Sequence, residues 1–139
     1  MTHFRKQLRD QVETLLTSTL SSHTVYVNRQ AVIEESKLPA VTITTDLDRR
    51  RPTTLDDAYD AEVDLTITIY RKAVTNIDDS LDADCALVEA AMLADTTIDA
   101  DKELQATGIE FADADKTTGQ AQMNYLVTLY GIDDAETVI

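Results

Sequence analysis

Residues 59 to 70 read YDAEVDLTITIY, and their alternation decides the fold. Tyr59, Ala61, Val63, Leu65, Ile67 and Ile69 take one face, while Asp60, Glu62, Asp64, Thr66, Thr68 and Tyr70 take the other. A period of two with one dry and one wet face marks a strand of an antiparallel or mixed sheet, because a doubly wound parallel sheet is dry on both sides. Twelve residues is about twice the usual strand length. Such a strand either projects beyond the core or meets another chain.

Upstream, Phe4, Leu8, Val12, Leu15 and Leu16 recur at helical spacing, which predicts an amphipathic helix over 3–20 with Thr2 as its N-cap. TVYVNRQAVI (24–33) and LPAVTITTD (38–46) predict two short strands, the second starting after Pro39. Downstream, Leu81, Cys85, Val88 and Met92 restore the helical period over 78–94, with Asn76 or Asp78 as the cap. The polar stretch 95–106 holds at most a short helix at 101–105. IEFADAD (109–115) and AQMNYLVTLYG (121–131) then read as a hairpin about KTTGQ, with Met123, Tyr125, Val127 and Leu129 on one face. The expected fold is a two-layer α+β domain: a mostly antiparallel or mixed sheet of about five strands with two main helices on one face. Residues 1–131 form that single domain, and 132–139 are a loose acidic tail.

Composition excludes several functions. The 26 acidic and 12 basic residues leave a formal net charge of −14, which opposes tight binding to a phosphate backbone. One cysteine cannot close an intrachain disulfide, and no Cys/His cluster offers a zinc site. Neither a signal peptide nor an apolar run long enough for a membrane span occurs. Three glycines leave no phosphate loop, dinucleotide fingerprint or nucleophile elbow. The Asp-Ala-Asp repeats at 82–84, 99–101 and 113–115 begin like calcium loops, yet the middle copy has Leu104 where the turn needs glycine. They read as acidic surface, with a metal-binding or enzymatic module as the remote alternative. His3 and His23 read as lone surface histidines, and Cys85 as a small core residue.

Arg49, Arg50 and Arg51 interrupt this acidity in a predicted loop at 46–57. They are either solvated loop charges or a contact for an acidic neighbouring protein, a task suited to arginine's bidentate fork.

In order and spacing, four segments resemble the tail terminator proteins of lambda-type long-tailed bacteriophages, the minor tail protein U family. These are VNRQAVIEESKLPAVTITT (27–45), AEVDLTITIY (61–70), DDSLD (78–82) and AQMNYLVTLYGI (121–132). The resemblance implies a structural protein of the virion tail, assembled in the bacterial host cytoplasm, with no active site, no cofactor and no membrane partner. It implies a hexameric ring of identical subunits that caps the tail tube protein, ends its polymerisation and presents a surface to the head–tail connector. A neighbouring head–tail joining protein of similar architecture is the alternative. DNA would pass through the lumen without specific binding. Asp78 becomes either a subunit contact or only a helix cap. Asp60, Glu62 and Asp64 line the lumen or lie on an outer solvated face. The lambda-like member is acidic where this chain has Arg49–Arg51, and RKAVTN (71–76) adds three positions, so the resemblance assigns the arginines no role.

Overall fold

A computed structural model describes residues 3–27, 37–52, 58–72, 77–98, 100–110 and 118–132. The elements run α1 (Phe4–Thr19), β1 (Thr24–Val27), β2 (Ala40–Pro52), β3 (Tyr59–Lys72), α2 (Ile77–Ala94), β4 (Asp101–Glu110) and β5 (Thr118–Ile132). The strands form one sheet in the order β1-β2-β3-β5-β4. β1 pairs with β2 in parallel, and every other pairing is antiparallel. The fold is α+β, as the alternation predicts.

β3 is the central strand, and at about 3.3 Å per residue its 14 residues span some 46 Å. Ala61, Val63, Leu65, Ile67 and Ile69 are completely buried on its dry side. Both helices cover that side. α1 contributes Phe4, Leu8, Val12 and Leu16, and α2 contributes Ile77, Leu81, Cys85, Val88 and Met92. Each large apolar side chain so buried stabilises the fold by about 1.5–3 kcal/mol before entropy is counted. β5 completes the core with Met123, Tyr125, Val127 and Leu129.

The structure corrects four expectations. The N-cap of α1 is His3, whose Nδ1 accepts from the backbone N–H of Arg5 at 3.1 Å. β2 is not short and does not end before the arginines: after an extra residue between Thr45 and Asp48 it stays paired with β3 as far as Pro52. Residues 101–105 are not helical but begin β4, because β5 presents an open edge there, and strand formation depends more on pairing than on intrinsic preference. The terminal hairpin is therefore longer than predicted; Thr118, Gly119 and Gln120 belong to β5, and 111–117 lie outside the described residues. β5 also carries Ile132, buried, one position past the predicted domain boundary; the rest of the predicted tail, 133–139, lies outside the described residues.

Candidate assembly surfaces

Strand geometry divides the arginine triplet. Arg49 stands opposite Glu62 and Arg51 opposite Asp60, on the face that no described helix covers. Arg50 stands opposite Ala61, on the helix side. On the open face the pairing is diagonal: Arg49 Nη2 meets Asp64 Oδ1 at 3.2 Å, and Arg51 Nη2 meets Glu62 Oε1 at 2.8 Å. Opposite charges across a pair of strands contribute roughly 0.2–1 kcal/mol each, which helps a charged segment remain a strand. On the helix side the Arg50 guanidinium lies 5.5 Å from the Phe4 ring centre and 5.1 Å from that of Tyr59. Both distances are within cation–π range. Asp48 follows the same side, held by Arg50 at 3.2 Å and Arg5 at 3.3 Å.

Arg5, Lys6, Arg9, Arg49, Arg50 and Arg51, half of the chain's 12 basic residues, therefore gather where α1 begins and the β2–β3 ribbon ends. His3 belongs to this cluster and is not a lone surface histidine: its Nε2 lies 3.4 Å from Arg50 Nη2. Burial, then the neighbouring Arg5 and Arg50 charges, push His3 below the ordinary imidazole range. The neutral ring is thus free to act as the helix cap.

Asp60, Glu62 and Asp64 share the open face as predicted, but each already has a local partner. Asp60 Oδ1 accepts from the backbone N–H of Gly131 at 3.0 Å. Gly131, at φ +63°, is in the left-handed region and sits where β5 carries an extra residue against β3. Beside it Tyr130 donates to Asp101 Oδ2 at 2.6 Å. Toward the other end of this face the charges give way to Thr42, Thr44, Thr66, Thr68, Gln122 and Asn124. Asp78 is exposed inside the first turn of α2, after Ile77, and not at the cap position; with Asp79 it meets the positive end of the helix dipole. Asn76, the other predicted cap, lies outside the described residues.

One buried polar cluster escaped the sequence reading. Asp84 lies on the inner side of α2, where Arg71 grips it through Nε–Oδ2 at 2.5 Å and Nη2–Oδ1 at 3.0 Å. His23 Nε2 reaches the same Oδ2 at 3.1 Å, with its side chain only 2% exposed. His23 is therefore an internal residue and not a surface one. Burial alone would raise the Asp84 carboxyl, but the hydrogen bonds from His23 and Arg71 outweigh it and hold the group below its ordinary value. The cluster ties together the turn after α1, the far end of β3 and the middle of α2. A signal for it existed: Asp84 falls between Leu81, Cys85 and Val88 on the apolar stripe, and Arg71 continues the odd-numbered dry phase of β3. Cys85 is buried as predicted, and burial pushes its thiol up to about 11, well away from a nucleophile's range. Among the described residues no three His, Cys, Asp or Glu side chains converge as metal ligands, and no helix is long and apolar enough to cross a membrane.

The sequence model for phage minor tail protein U matches residues 3–129, from the cap of α1 to near the end of β5. The chain belongs to the phage minor tail protein U family. Its backbone is similar to a chain in the virion of a native gene transfer agent particle, with a TM-score of 0.50 and 11% identity over 93% of this chain and 92% of that one. At that identity the likeness concerns the fold. Two crystal structures from Akkermansia muciniphila overlap less closely, at TM-scores of 0.39 and 0.43 with 9% and 10% identity; they cover 93% and 96% of this chain and 87% and 80% of those. No curated protein matches. The minor tail protein U match includes both helices and the whole β2–β3 ribbon, so the arginine-bearing segment lies within the family domain.

Proposed function

We propose that this phage structural protein is a tail terminator: six copies close a ring on the end of the tail tube, stop its growth and offer a docking surface to the head connector. The observation that carries this reading is the family match over residues 3–129. Physical features support it. The polar sheet face at the β2–β3 ribbon has no described helix over it, as suits a wall of a ring. The cationic cluster on a chain of net charge −14 supplies one half of a complementary contact, and head-to-tail ring closure joins two different patches.

In this reading Asp60, Glu62 and Asp64 face the lumen, and Arg49 and Arg51, on the outer strand of the ribbon, border it. With Asp101 and Glu103 of β4 on the same face, five acids against Arg49, Arg51 and Lys72 leave the face of each subunit net negative. A weakly negative wall lets DNA pass without holding it. The ring's partners are the tail tube protein and the connector, with assembly in the host cytoplasm and no catalytic step. Negative-stain images of the purified protein, alone and mixed with tube subunits, test this. Six-fold rings and shortened tubes are expected; a monomer that neither binds nor caps tubes would refute the proposal.

A further inference from the structure

The outward side of α2 is apolar where a solvent-facing helix should be polar. Ala83, Ala86, Leu87, Ala90, Leu93 and Ala94 are all exposed, Leu87 at 51% and Leu93 at 89%. Among the described residues no element packs on them. At 100° per residue they occupy an arc of about 120°, flanked on one side by the exposed acids Asp82 and Glu89, two turns or about 10 Å apart. A helix that is apolar on both sides is normally buried on both, yet here only the inner side is covered.

We infer that this face receives a second copy of the same chain, presenting the arginine-bearing end of its β2 strand. The inference rests on the ring reading above and names the contact that closes it. Charge selects the occupant. Two copies of a chain at −14 repel, so their contact must bring together the few exposed cations and an acidic rim. Arg49 and Arg51 point the same way two residues apart, about 7 Å, and are 47% and 75% exposed while holding Asp64 and Glu62 through one nitrogen each. Their remaining donors can reach Asp82 and Glu89, and their methylene stems can lie over Leu87. The two patches differ, so each copy gives one and receives the other, as a closed ring demands.

Area explains why such a contact would need the ring. The α2 stripe covers roughly 18 Å by 10 Å, on the order of 200 Å², well short of the ~800 Å² per partner in a stable pair. A single contact is therefore weak, and closure, which gives every copy two, is what makes the assembly persist.

The test compares rings formed by the unaltered chain, by Leu87→Glu and by Asp82→Lys/Glu89→Lys, together with disulfide trapping in Leu87→Cys/Arg51→Cys. All altered helix positions are exposed, so the monomer is expected to melt as the unaltered chain does. Both helix variants should weaken ring association at least ten-fold, and the double cysteine chain should give a ladder of linked species ending at a closed ring, which neither single cysteine variant gives. If rings form equally well in the helix variants and no ladder appears, this contact is overturned while the terminator reading stands. If Leu87→Glu lowers the melting temperature of the monomer yet leaves the rings intact, the face is covered by the chain's own residues and the inference fails. If the unaltered chain forms no rings and the cysteine chain no ladder, both readings fall.

Discussion

α1 and α2 lie on the same face of the same sheet, yet their outer sides differ. α1 turns Lys6, Asp10, Glu13 and Thr14 outward, with Lys6 and Asp10 paired at 2.7 Å one turn apart. α2 turns out leucines and alanines with a few acids. Inside, the two are alike: each buries a stripe of four or more apolar side chains on the strands. The difference shows that α1 is finished by the monomer's own fold, whereas α2 is only half finished. Intrachain packing accounts for every apolar residue of the first helix and only for the inner half of the second.

The strongest way to break the likeness of the inner sides is through Asp84, which has no counterpart on α1. Replacing it with alanine should cost about 3–5 kcal/mol, because Arg71 and His23 would keep a buried site built for a carboxylate; thermal unfolding reads this directly. The same carboxylate gives an acid dependence. Its folded pKa is depressed, so its contribution is complete above the unfolded value near ~4 and is lost as pH falls through the lower folded value. The Asp84→Ala chain should therefore lose less stability between about pH 5 and pH 2 than the unaltered chain, measured by urea unfolding at each pH.

Next in size, Leu8→Ala on α1 and Leu81→Ala on α2 remove fully buried side chains and should each cost roughly 2–5 kcal/mol. Similar losses would sharpen the comparison by confining the difference to the outer sides. Gly131→Ala, at a positive φ with nothing within 4 Å of the added methyl, should cost about 1–2 kcal/mol through backbone strain alone. The smallest changes belong to the outer sides. Lys6→Ala and Leu93→Glu should each shift monomer stability by no more than about 0.5 kcal/mol, and only Leu93→Glu should alter sedimentation at high protein concentration.

Much of this fold was legible in residue spacing. β3 and the two helices keep a single period with few competing signals, and their buried sides coincide with the predicted stripes. The first part of β4 was missed because Asp101–Gln105 has the composition of a helix, and only the open edge of β5 makes it a strand. The continuation of β2 was missed for a similar reason: DLDRRRP looks like a loop until the acids of β3 stand opposite. The surfaces were less legible than the core. Alternation placed Asp60, Glu62 and Asp64 correctly on one side, but it could not supply their partners, because pairing across strands depends on register. His23 carried no local signal for burial, since the carboxylate it meets, Asp84, is 61 positions away.

The extra residue between Thr45 and Asp48 acts as a parity switch. Before it, odd-numbered side chains of β2 point to the core, and after it the even-numbered ones do. Deleting Asp46 would remove the extra residue and restore an unbroken ladder with Arg49 and Arg51 still on the open face, whereas deleting Leu47 as well would exchange the sides: Arg49 and Arg51 would turn against the helices, and Arg50 would stand alone among the acids. Loss of one residue at the bulge therefore preserves the arrangement, and loss of two does not. The spacing of this ribbon should accordingly tolerate a one-residue deletion at the bulge and resist a two-residue one, which makes its length as informative as its charges.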